Sequence, residues 1–213
     1  MILNSIEKRR NKIILEFDDY ENIEIYYDVY LNASLFKGDN ISSKKIDELK
    51  LANSIYEVKN SAFRYLSNRS HSSFELKNKL RKKGYESSII ETVISDLWDK
   101  KYLNDFTFAE NFVRNRVERR KEGVMKITSE LFKKGISREI ISEVTESIKE
   151  HPQNIENAIE LGKSKLEKIQ KRGETDYNKI KSKLFNFLKG RGFTSDVIFD
   201  VIGKLNIKDE ERY

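Results

Sequence analysis

Side chains able to do chemistry are sparse in this chain of 213 residues, and their spacing does not suit catalysis. The two histidines, His71 and His151, stand far apart, each in a polar junction. A general base or metal ligand needs a partner within hydrogen-bond reach. Eighty residues apart and set in polar junctions, both read as solvated loop residues. There is no cysteine, which excludes thiolate nucleophiles, thiolate metal sites and disulfides. Glycine-rich phosphate loops and dinucleotide fingerprints are missing, as is the strand–glycine–helix setting that gives them meaning. Carboxylates abound but alternate with bases along helical stretches, so paired-carboxylate catalysis has no support. The chain reads as a non-enzyme with no cofactor and no metal.

The basic residues say more. Residues 64–83 hold Arg64, Arg69, Lys77, Lys79, Arg81, Lys82 and Lys83 against a single acid, Glu75. Residues 114–134 hold Arg114, Arg116, Arg119, Arg120, Lys121, Lys126, Lys133 and Lys134 against three acids, and residues 163–192 hold ten bases against three acids. Acids gather further on, at Glu91, Asp96, Glu143, Glu146, Asp196 and Asp200. Residues 1–61 carry a net −2 and residues 62–213 a net +8, which together give the chain its +6. A recurring positive stripe would neutralise phosphates or meet an acidic protein groove. Lysines just before a helix-ending glycine, as at Lys82-Lys83 and Lys133-Lys134, equally complement the helix dipole and keep small modules soluble. Both readings stand.

The elements that must carry these bases come from a pattern written three times. Leu76 to Tyr85, Ile127 to Ile136 and Leu184 to Phe193 each read aliphatic, three residues, Leu, three residues, Gly, large apolar. After Gly84, Gly135 and Gly192 the pairs Ile89-Ile90, Ile140-Ile141 and Val197-Ile198 follow in register. Then come Val93, Val144 and Val201, and finally Leu97, Ile148 and Leu205. A shared period of about fifty residues predicts tandem helical repeats. The glycines suit helix stops in the left-handed conformation. Each helix has one apolar stripe, so three must bury their stripes together. The fold class is mainly α: three tandem three-helix bundles in an elongated, curved body after a small N-terminal β-hairpin/α module. A fifty-residue module is about 25 Å across, so three in line reach roughly 70 Å. That shape suits a filament or an extended nucleic acid better than a small ligand.

In order, residues 1–50 read as the α/β module, with alternation at Ile13, Leu15 and Phe17 and again at Ile23, Ile25, Tyr27 and Val29. A polar loop at residues 18–22 joins the runs, and residues near Ile2 to Ile6 offer a pairing partner or a helix offers a packing surface. Gly38-Asp39-Asn40 breaks the chain, and Ser42 or Ser43 caps a short helix through Ile46, Leu49 and Leu51. Repeats follow over 51–103, 104–151 and 152–206, with a frayed tail over 207–213. The first repeat opens with a helix carrying Ile55, Val58, Ala62, Tyr65 and Leu66; Ser72 and Glu75 then form a capping box. Asp105 caps the helix from Phe106, which carries Phe108, Ala109, Phe112, Val113 and Arg116, and Gly123 closes it. The only proline, Pro152, marks the next junction. Trp98 reads as packing rather than as a stacking platform. No apolar run is long enough to span a membrane, and the N-terminus is unlike a signal peptide. A soluble cytoplasmic monomer is expected.

Ala62-Phe63-Arg64-Tyr65-Leu66-Ser67-Asn68-Arg69 leads to Ser73-Phe74-Glu75-Leu76 and Leu80-x-x-x-Gly84, and Tyr102-Leu103-Asn104-Asp105 follows with Phe108-Ala109. These stretches resemble the RecX family, regulators of the RecA recombinase. Gly123-x-x-x-Ile127-x-x-x-Leu131-x-x-x-Gly135-Ile136 and Gly192-Phe193 continue the likeness over about residues 55–205. The hairpin module is similar to the N-terminal extension of longer members. The family's paired bases after the first helix stand here as Asn68-Arg69, and the third repeat matches more loosely. The resemblance implies tandem three-helix repeats without a cofactor. It also implies a protein lying in the groove of the RecA–DNA filament, where it blocks or destabilises the filament. ATPase, strand-exchange and co-protease activities fall as a result, in DNA repair and the SOS response. The expected filament- or DNA-binding residues are Arg64, Arg69, Lys77, Arg81, Lys82, Arg114, Arg116, Arg119, Arg120, Lys126, Lys181, Lys183 and Arg191.

A different class of function remains: a direct, non-specific DNA-binding helical module. A three-helix unit with a glycine turn is similar to a helix-turn-helix, whose last helix would enter the major groove. Here the last helices carry acids, which argues against base reading but not against phosphate binding by the earlier helices, to single- or double-stranded DNA. A purely structural scaffold is a third possibility.

Overall fold

The computed structural model describes residues 1–149, 152–205 and 207, without the side chains of Ser147 and Lys149. His151 and the expected tail beyond residue 207 lie outside the described residues. Two compact units divide the chain. One holds residues 1–71 and 75–103, the other residues 72–74 and the chain from Asn104 onward.

The first unit begins with β1 (Leu3–Arg9), β2 (Lys12–Phe17) and β3 (Ile23–Tyr26), an antiparallel sheet in the order β1-β2-β3. Period-2 patterning sets its register: Ile13 opposes Lys8 and Ile25, while Leu15 opposes Ile6 and Ile23. Ile13, Leu15, Phe17, Ile23 and Ile25 therefore share one buried face. A register shift between Leu3 and Ser5 lets Leu3 reach full burial while the Ser5 hydroxyl donates to Glu16, 2.6 Å away.

The expected strand alternation fails after Tyr26. Residues Tyr27–Ala33 form a short helix, α1, which ends at Ser34 in the left-handed region. Tyr27 and Val29 continue the strand alternation, but Tyr26, Val29, Tyr30 and Ala33 fall at helical spacings, and all pack on the module core. The Tyr26 amide leaves the ladder to donate to Asn53 Oδ1 at 2.8 Å. Packing settles what periodicity left ambiguous.

A second departure is α2 (Ser43–Asn68), one helix of 26 residues where two were expected. Ser42 caps it, its side chain accepting from the Lys45 amide at 3.2 Å. Its first half gives Ile46 and Leu49 to the sheet core, and its second half gives Val58 and Ala62 to the first bundle. Nothing between them, neither glycine nor proline, breaks the helix.

The first bundle adds α3 (Ser73–Lys82) and α4 (Ser87–Asp99). The second unit contains α5 (Asp105–Glu118), α6 (Val124–Lys133), α7 (Arg138–Lys149), α8 (Pro152–Gln170), α9 (Tyr177–Arg191) and α10 (Ser195–Lys204). The repeat register is a burial register. Leu76, Leu80, Ile127, Leu131, Leu184 and Leu188 are all fully buried, and so are Ile90, Leu97, Ile198 and Val201. Each such side chain contributes about 1.5–3 kcal/mol relative to exposure. Gly84, Gly135 and Gly192 have φ of 85°, 72° and 94°, as helix stops require.

Two caps differ from expectation. Asn104, not Asp105, caps α5, accepting from the Thr107 amide at 3.0 Å; Asp105 Oδ1 instead accepts the Ser73 amide at 2.8 Å. Gly123 does not close α5 but opens α6 as its N-cap. Trp98 stands 40% exposed, outside the core, because its place beside Leu97 rotates it about 100° from the buried stripe. Among the described residues no helix is long and apolar enough to cross a membrane.

Candidate functional site

The expected binding residues lie on helices and at helix ends, and their surroundings sort them sharply. In the first unit, Arg64 on α2 and Lys82 at the end of α3 are exposed, and neither has a carboxylate partner among the described residues. Lys77 and Arg81, one turn apart on α3, both face Glu91 of α4, Arg81 at 3.4 Å. Glu91 of the third helix thus folds against bases of the second, while Asp96 pairs with Lys59 of the first helix at 2.5 Å. Arg69 reaches Glu75 at 3.0 Å and the Ser70 carbonyl at 2.7 Å. Lys79 and Lys83, both flanking Tyr65, place their ammonium groups 4.8 and 5.5 Å from its ring centroid.

In the second unit Arg116 is mostly buried, its side chain 14% exposed, and contacts Glu122 at 3.0 Å and Glu130 at 3.4 Å. Its guanidinium also lies 4.6 Å from the Phe112 ring centroid. Glu122 is 5% exposed and takes a second cation, Lys126, at 3.0 Å. Arg116 and Lys126 therefore neutralise a buried carboxylate, which fixes their geometry and removes most of their outward field. Lys183 is paired with Glu174, whose carboxyl is held below its ordinary range by that ammonium. Arg114 is exposed but lines a cleft of about 560 Å³ that Glu110, Glu118 and Glu143 also line. Arg119 and Arg120, in the turn after α5, are exposed and unopposed among the described residues. Lys181 and Arg191 are half-buried, over the rings of Tyr177 and Phe187. Solvent-facing cations without a carboxylate partner thus occur in both units, as Arg64 and Lys82 in the first and Arg119 and Arg120 in the second.

His71 corrects the sequence reading. It is buried at 4% exposure, not solvated. Its Nδ1 lies 2.9 Å from the Arg69 carbonyl, which can only accept, so Nδ1 carries the proton. Burial and then the Arg69 charge hold the imidazole below its ordinary pKa. A neutral ring tied to its own loop is a structural group. Among the described residues no cluster of three or more His, Asp or Glu could hold a metal ion.

The repeat geometry leads directly to relatives. Family models for the first, second and third three-helix domains of RecX match residues 59–97, 104–144 and 152–202. The chain belongs to the RecX family. The Regulatory protein RecX of Clostridioides difficile is 30% identical over 212 residues, 98% of each chain. That of Listeria monocytogenes serovar 1/2a is 30% identical over 209 residues, 96% of this chain and 76% of the relative. A crystal structure of regulatory protein RecX superposes with a TM-score of 0.78, covering 95% of this chain and 98% of that one at 20% identity. RecX from Lactobacillus salivarius gives 0.66, covering 74% and 99% at 25% identity. The Clostridioides difficile relative and the first of these crystal structures thus align over nearly the full length of this chain, the N-terminal module included.

Proposed function

We propose that this chain regulates a RecA recombinase by binding in the groove of the RecA–DNA filament, lowering ATPase, strand-exchange and co-protease activity during DNA repair and the SOS response. Membership of a regulatory family supports the reading. The observation that carries it is the set of exposed, unopposed cations on tandem three-helix domains, chiefly Arg64, Lys82, Arg119 and Arg120. Such a surface changes filament stability only through differential affinity for assembled and free protomers. Binding as a cytoplasmic monomer, with no chemical step, no cofactor and no membrane contact, completes the reading.

The test is ATP hydrolysis by the cognate recombinase on single-stranded DNA, with this protein titrated in at near-physiological salt. Inhibition below one protein per protomer supports regulation of the filament. Unchanged hydrolysis, with tight and steeply salt-dependent binding to bare DNA, supports the direct DNA-binding module instead. The unopposed pair Arg119-Arg120 is the observation that favours this second reading.

A further inference from the structure

Gly123 and Gly192 meet backbone to backbone. The Gly123 amide donates to the Arg191 carbonyl at 2.9 Å, and the Met125 amide donates to the Gly192 carbonyl at 2.9 Å. A Cβ on Gly123 would lie 2.4 Å from the Gly192 carbonyl carbon, and one on Gly192 would lie 2.5 Å from the Lys126 nitrogen. The glycine turn ending α9 therefore supplies carbonyls to the unsatisfied N–H groups that open α6. The turn ending α6 also meets a helix start, there through a side chain. The Lys134 carbonyl accepts from the Ser72 hydroxyl at 2.6 Å, and a Cβ on Gly135 would lie 2.4 Å from Phe74 Cβ. In both cases a basic glycine turn seats on the start of the preceding repeat's second helix.

The turn ending α3 has the same build, Lys82-Lys83-Gly84 with φ 85°, yet a Cβ on Gly84 would meet nothing within 4 Å. No repeat precedes it. Seats of this kind within the chain are taken at the starts of α3 and α6, and at the third repeat the place of Gly123 falls on Ile180, buried inside the longer α9. The open turn presents α3 C-terminal carbonyls, a partial negative end, ringed by lysines. It complements a helix start, whose partial positive end favours acids in its first turn.

We propose that the Gly84 turn docks on the N-terminal turn of an acid-bearing helix of the recombinase, opened by a small residue, in the way Gly192 docks on Gly123. This rests on the filament reading above. It also gives the filament a seat that depends on shape as well as charge.

The test uses the full chain and recombinase filament assembled on labelled single-stranded DNA, with binding followed by anisotropy and folding by thermal melts. Gly84→Asn keeps the left-handed conformation accessible and keeps the charge, but adds a side chain at the seat. It is expected to weaken filament binding by about tenfold or more while the melt stays close to wild type. Lys82→Glu is expected to weaken binding more than Lys171→Glu, the same charge change in an exposed turn of the second unit. Wild-type affinity for Gly84→Asn overturns the docking. If that variant fails to fold, equal losses from Lys82→Glu and Lys171→Glu overturn it. No filament binding by the wild type overturns the filament reading and this seat together.

Discussion

Arg116 and Arg119 are three residues apart, yet one is a buried counter-ion and the other a free charge. Glu122, 5% exposed between Arg116 and Lys126, shows what the difference costs to undo. Glu122→Gln leaves Lys126 without a carboxylate and Arg116 with Glu130 alone, and losing one partner of a mostly buried pair costs about 3 kcal/mol. Lys204→Gln breaks an exposed pair with Asp200 one helical turn away, worth about 0.3–0.5 kcal/mol. Urea midpoints should show the contrast; equal shifts would mean that Glu122 is wetter than its packing implies. His71 makes a pH-dependent prediction. Its folded pKa lies below its unfolded value, so between the two the unfolded chain binds more protons. Its contribution is then whole above about pH 6.5 and is lost as pH falls through the folded value. His71→Gln should flatten the stability–pH curve in that window, and an unchanged slope would sink the assignment. Neither role was legible in the sequence. Residue type places Arg116 on a basic helix and His71 in a polar junction, but tertiary neighbours decide which charges are opposed and which loops are covered.

At the scale of elements the sequence is most informative where the pattern repeats and least where one element hands over to the next. The buried leucines and helix-stop glycines are legible because a 3.6-residue stripe recurs three times in register. The run from Ser43 to Asn68 reads as two helices because its apolar face changes partner midway, from the sheet to the bundle. Gly123 reads as a helix stop because glycine marks ends of either polarity. Its real task, close approach, depends on Gly192, which is distant in sequence. Gly123→Ala should therefore cost about 2 kcal/mol or more, since a Cβ would lie 2.4 Å from backbone that cannot swing away. Gly190→Ala, helical with nothing within 4 Å of its added methyl, should gain about 0.5–1 kcal/mol. Thermal midpoints moving in opposite directions would confirm the joint between these turns. A neutral Gly123→Ala would mean that the two turns separate readily.

Taken as a whole, the molecule carries +6, and the sequence tells where its bases lie but not which of them act outward. The structure distinguishes two sets with opposite expected behaviour. Arg119 and Arg120 face solvent without opposing carboxylates, so changing both to Glu lowers the net charge by four, from +6 to +2, with little effect on the core. If they meet phosphates, the slope of log affinity against log salt should fall by about 0.7 for each phosphate of a single strand that is no longer neutralised. Lys77 and Arg81 already sit against Glu91. Reversing that pair sets three carboxylates together, so stability should fall before binding does. Anisotropy on bare DNA and on filament across a salt series, beside urea melts of the same variants, separates the outcomes. A flattened slope on both ligands from Arg119→Glu/Arg120→Glu places these residues on phosphate. A loss of affinity on filament alone, with the bare-DNA slope unchanged, places them on acidic protein surface. Full affinity for both removes this turn from the interface and leaves Arg64 and Lys82 as the remaining exposed, unopposed cations of the expected set.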